Sequence, residues 1–149
     1  MSARELEEST NREVFTGSRW SRAQGKRLAL LAIRLFMSLN LLYAAIFLKF
    51  EGVPDSVALF RRMSQVVHGW ISEPFFRTGS GVFETCVAVL LLMPKTARTA
   101  GALVVVWMSA VILSHIFVLG YGWFFFDALF VLMLAVIYLL LTRMRSYWG

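Results

Sequence analysis

Apolar residues gather into four long runs, at residues 28–50, 75–93, 99–119 and 123–142, separated by short polar breaks. A helix crosses the ~30 Å hydrocarbon layer of a bilayer with about 20 mostly apolar residues, so each run is long enough to span it. Between the first two runs, residues 51–74 carry Val57, Phe60, Met63, Val66 and Val67 among polar neighbours. That near-helical spacing predicts an amphipathic helix within residues 56–70, lying at the outer interface with Trp70, Phe75 and Phe76 at headgroup level. An irregular loop is the plainer alternative for this connection. The other two connections are tight. In Pro94-Lys95-Thr96-Ala97-Arg98 the proline stops a helix, and in Gly120-Tyr121-Gly122 glycine opens backbone angles closed to other residues. Short links make helices two, three and four antiparallel neighbours. The expected fold is therefore all-α, a four-transmembrane-helix antiparallel bundle with an outer amphipathic segment between helices 1 and 2.

Composition excludes a water-soluble globule. Of 149 residues 58% are hydrophobic and only 16% are charged, too few to clothe a soluble surface around so much apolar side chain. The expected organisation is a polar cytoplasmic tail at residues 1–27, the transmembrane domain at 28–142 and a short cytoplasmic tail at 143–149. The first apolar run is far longer than the about 7–15 residues of a signal-peptide core and contains Arg34 and Asn40, which argues against cleavage.

The net charge of +6 changes meaning once it is sorted along the chain. Ten of the fifteen Lys and Arg fall in the two tails and the Lys95/Arg98 turn, whereas Arg61, Arg62 and Arg77 lie in or beside the connection between helices 1 and 2. By the positive-inside rule both termini are expected in the cytoplasm. The basic charge then reflects topology and contact with anionic lipid, and nucleic acid is not an expected partner.

Five ionisable residues fall in or at the rim of the apolar runs: Arg34, Lys49, Glu84, His115 and Asp127. Charge in a span is costly and marks either a functional site or a structural pair. Counting ~1.5 Å of rise per helical residue puts Lys49 at the outer rim, Glu84 near mid-depth or slightly outside it, and His115 and Asp127 in the outer half, one from each helix, with Arg77 on the Glu84 face two turns away. Their convergence in an outer-leaflet pocket is expected, with Arg34 nearer the cytoplasm. Each has a plainer reading. Lys49 can snorkel to headgroups, Arg34 can snorkel or cap backbone carbonyls, Glu84 can form a structural pair with Arg77 or Lys49, and His115 and Asp127 can lock helices through a mutual hydrogen bond. His68 and His115 as haem ligands, or His115, Glu84 and Asp127 around zinc, are weaker alternatives, and no metal is expected. The single cysteine, Cys86, allows neither an internal disulfide nor thiol exchange by this chain alone.

The segment RLFMSLNLLYAAIFLKF, with Arg34 fifteen residues before Lys49, resembles the first helix of the DoxX and DoxX-like family of small four-helix membrane proteins. GVFETCVAVLLLMP, carrying Glu84 and followed by the basic turn, is similar to that family's second helix, and His115 and Asp127 match its polar positions more loosely. The resemblance covers residues 28–142. It departs at Ala44, Ala45 and Ile46, where the family commonly has a glycine before the lysine, and in lacking a glycine-rich tail, so a DoxX-like branch is implied.

The resemblance implies an accessory or quinone-interacting subunit of a membrane redox or envelope-stress system, more an accessory than a self-sufficient enzyme. Quinone is the cofactor it suggests, and redox proteins the partners. Two other functions fit the same residues. One is a non-enzymatic scaffold or assembly factor; the other is a small proton-linked transporter, which with four helices needs to form a homo-oligomer.

Overall fold

The computed structural model describes residues 24–146, all of them in helices and the short connections between them. The polar segment expected at residues 1–27 therefore lies almost wholly outside the described residues, as does the end of the 143–149 tail. The chain divides into two compact units, residues 1–32 and Ile33–Gly149. Of the first, the described part is helical and largely exposed. The second carries the site.

Four helices are long and apolar enough to cross a membrane: α1 (Gln24–Phe50), α3 (Glu73–Leu92), α4 (Ala97–Leu119) and α5 (Trp123–Ser146, apolar to Arg143). Between α1 and α3 lies a shorter helix, α2 (Pro54–Val66). Local chemistry sets most boundaries. Pro54 and Pro74 stand in the first turns of α2 and α3, where a missing N–H costs nothing, accompanied by Asp55 and Glu73 at the positive end of the helix dipole. At the other end of α3, Met93 is forced into the extended region (ψ 120°) because Pro94 follows it. The end of α2 turns through His68 and Gly69, both with positive φ, and the Gly69 amide reaches back to the Ser64 carbonyl at 2.8 Å.

α1 and α4 both finish in a widened, π-helical turn, Ala44–Phe50 and His115–Leu119. There the Glu51 amide bonds the Ile46 carbonyl and the Gly120 amide bonds the His115 carbonyl, each five residues back. Such wide turns are uncommon and concentrate at functional sites. Gly120 (φ 79°) ends the second of them in a conformation that L side chains rarely adopt.

The buried positions run as one stripe on each long helix: Met37, Leu41, Ala45 and Lys49 on α1; Gly81, Glu84, Ala88 and Leu91 on α3; Ala97, Ala100, Val104 and Met108 on α4; Ala128, Val131, Ala135 and Tyr138 on α5. Spacings of three and four keep each stripe on one face. The opposite faces expose Leu39, Phe47, Val82, Val106, Phe117, Phe130 and Leu140, the surface expected of helices solvated by lipid. Small residues bring backbones together. A Cβ at Gly81 would lie 2.9 Å from the Phe50 ring, and one at Gly101 would lie 3.0 Å from the Tyr138 ring.

Candidate functional site

A cavity of about 260 Å³ lies among α1, α2, α3, α4 and α5, and its wall includes Lys49, Glu84, His115 and Asp127. Most of the remaining wall is apolar or aromatic, with Leu41, Phe60, Phe76, Trp107 and Phe124 among its residues.

Glu84 anchors one side. Its side chain is 3% exposed, and its Oε1 accepts both an ion pair from Lys49 and a 2.8 Å hydrogen bond from the Trp107 indole N–H. Oε2 is buried without a hydrogen-bond partner. Lys49 is itself buried, with Nζ 5.9 Å from the centroids of both the Phe60 and Trp107 rings, within cation–π range. The ammonium is thus held by one carboxylate and two aromatic faces.

Arg77 stands outside the cavity wall, and its partner is not Glu84. Its Nε donates to Glu73 at 2.6 Å, one helical turn away, and its Nη1 donates to the Lys49 backbone carbonyl. The reason lies in the widened turn of α1. An amide five residues beyond Lys49 would belong to Pro54, which has no N–H, so the carbonyl takes a side-chain donor instead. Gly52 leaves room for this, since a Cβ there would sit 3.0 Å from Arg77 Nη1.

His115 and Asp127 line the same cavity but do not bond each other among the described contacts. His115 is buried, and its Nδ1 lies 3.0 Å from the Gly120 carbonyl, across the wide turn that ends α4. A carbonyl can only accept, so Nδ1 carries the proton and, in the neutral ring, Nε2 is an acceptor. Asp127 is half-buried and accepts a 3.0 Å hydrogen bond from the Asn40 side-chain amide of α1. Both partners were hidden from a depth count, which measures height along a helix but not the direction a side chain faces.

Arg34 is absent from the cavity wall. Its Nε and Nη2 donate at 2.8 Å to the carbonyls of Leu91 and Leu92, the last residues of α3, which Pro94 deprives of continuing helix partners. Nearby, Ser38 Oγ donates to the Ala88 carbonyl at 2.9 Å. This is the carbonyl-capping alternative read from the sequence.

Trp107 and Asn40 are the site residues that sequence reasoning did not assign. Trp107 had a usable signal. It lies in mid-span, away from the interfacial belt that tryptophan prefers, and a buried indole N–H needs an acceptor. A second cavity of about 250 Å³, lined in part by Asp55, Arg62 and Tyr121, shares Leu59, His115, Leu119 and Phe124 with the first. Among the described residues no group of three or more His, Cys, Asp or Glu is placed to hold a metal ion. Comparison of the chain with protein-family models, with curated proteins and with solved structures finds no match.

Proposed function

We propose that this chain is a DoxX-like subunit of the inner membrane that holds a lipid-soluble quinone-type ring and supports a partner redox or envelope-stress enzyme. The observation that carries the reading is the cavity, in which Lys49, Glu84, His115 and Asp127 are set into an otherwise apolar and aromatic wall. A few polar groups in an apolar concavity is the pattern of small-molecule sites. At about 260 Å³ the cavity accommodates a single substituted ring, leaving a long apolar tail to lie along the lipid-facing helices.

In this reading the four spans form an antiparallel bundle with both termini in the cytoplasm and α2 at the outer surface. The pairing of Arg34 with Leu91 and Leu92, of Ser38 with Ala88, and of Lys49 with Glu84 supports opposite directions for α1 and α3. The distribution of Lys and Arg supports the orientation. The test is extraction of the protein from its own membranes in mild detergent, followed by analysis of bound lipids and proteins. Co-purifying quinone or redox subunits are expected; a protein that carries no quinone and binds no added short-chain quinone ends the reading.

A specific observation favours a second reading, that of a scaffold or assembly factor. Glu84 is paired with Lys49 of α1 and Asp127 with Asn40 of α1, so these polar residues can act as locks between helices, while His115 fastens the end of its own helix to Gly120. Glu84→Gln and Asp127→Asn separate the two. A site loses ligand while the helices stay folded, whereas locks lower the melting temperature in detergent.

A further inference from the structure

We propose that water reaches the polar cavity from one side only: the second cavity is its antechamber, and the bundle is sealed toward the Arg34 end. The inference concerns access and holds whatever ligand the cavity takes.

Exposure falls in steps along the two chambers. The second cavity lies between α2 and the turn that joins α4 to α5. The residues that line it alone, from Asp55 and Arg62 on α2 to Gly120, Tyr121 and Gly122 on the turn, are all exposed. Those that it shares with the first cavity are the inner ones: Leu59, Leu119 and Phe124 are half-buried, and His115 is buried. A mouth carrying Asp55 and Arg62 stays hydrated, because stripping water from a charge is costly. Behind it the partition consists of three apolar side chains and one imidazole. Rotation of partly exposed side chains is fast and needs no movement of the helices.

The opposite end is closed. One turn beyond the first cavity each spanning helix supplies an apolar residue without exposed surface: Met37 beyond Leu41 on α1, Ala88 beyond Glu84 on α3, Val104 beyond Met108 on α4 and Val131 beyond Ala128 on α5. Ser38 is fully buried in the same layer, its hydroxyl taken by the Ala88 carbonyl. A close-packed apolar layer gives water neither room nor partners. Of the residues that line the first cavity only Ala110 is exposed, and its methyl group makes no second polar mouth. The Lys49–Glu84 pair therefore exchanges water and polar solutes with the phase that α2 faces, and a path through the molecule is interrupted at the Met37 layer.

The experiment is thiol modification of the full chain in phosphatidylcholine nanodiscs, which leave both faces of the membrane open, using 2-(trimethylammonium)ethyl methanethiosulfonate in a Cys86→Ala background. The reagent needs a thiolate, which an apolar surrounding suppresses and water permits. Ser56→Cys puts a thiol at a buried position on the wall of the first cavity that the second does not touch, and Ser38→Cys puts one in the sealing layer. Ser56→Cys is expected to react about tenfold faster than Ser38→Cys or more, and Leu119→Ala, which thins the partition, to widen that ratio severalfold. Equal rates, or a ratio that Leu119→Ala leaves unchanged, overturn the antechamber; faster reaction at Ser38→Cys overturns the seal. If Leu119→Ala does not fold, Phe124→Leu makes the same comparison. The readout involves no quinone, so failed labelling leaves the ligand reading standing, and a failed search for ligand leaves the access route standing.

Discussion

At the scale of single residues, burial and partner choice decide what each charge does. Lys49 and Glu84 are both buried and paired, so removing one leaves the other charged and without a counter-ion. Lys49→Met is expected to destabilise the protein by about 3–5 kcal/mol. The double variant K49M/E84M should cost less than either single change, because no lone charge remains; unfolding in mixed micelles of denaturing and mild detergent measures all three. Arg34 makes a different argument. Its two donors fit two adjacent carbonyls as a fork, and an ammonium cannot copy that geometry. Arg34→Lys should therefore lose one charge-assisted hydrogen bond, about 1.5–3 kcal/mol, with no effect on ligand at the distant cavity.

At the scale of helices, close approach depends on where a glycine stands rather than on how many there are. Gly101 lies under the buried Tyr138 ring, and an added methyl group would be 3.0 Å from it. Gly101→Ala should lower stability by about 1–3 kcal/mol through overpacking. Gly79 has nothing within 4 Å of the same position, so Gly79→Ala should instead raise stability by about 0.5–1 kcal/mol through helix propensity. Thermal unfolding of the two variants in one detergent gives opposite signs if the helix contacts are as described. The helices themselves were largely legible: apolar runs of sufficient length, prolines at 54, 74 and 94, and the Gly120 turn are local signals. The wide turns at the ends of α1 and α4 were not. They depend on Arg77 and Gly52 at one end and on the His115 ring and Gly120 at the other, contacts that no periodicity in the sequence encodes.

At the scale of the whole molecule, orientation in the bilayer is the property that charge distribution predicts and that packing alone leaves open. In a Cys86→Ala background, Arg61→Cys should react with a membrane-impermeant thiol reagent in intact cells, and Lys95→Cys only after the membrane is opened. The reverse pattern places both termini outside. Composition and hydropathy by themselves determined that this is a helical chain with four segments able to span a membrane, because the length and transfer free energy of an apolar run are properties of adjacent residues. They also marked Lys49, Glu84, His115 and Asp127 as costly in lipid. Only the tertiary structure decided which groups satisfy them. Glu84 takes Lys49 and Trp107, Asp127 takes Asn40, His115 takes the Gly120 carbonyl, and Arg77 turns to Glu73 and a backbone oxygen. The physical reason is that rise along a helix follows from counting residues, whereas the direction a side chain faces depends on helix rotation, on the widened turns and on the neighbours against which each helix comes to rest.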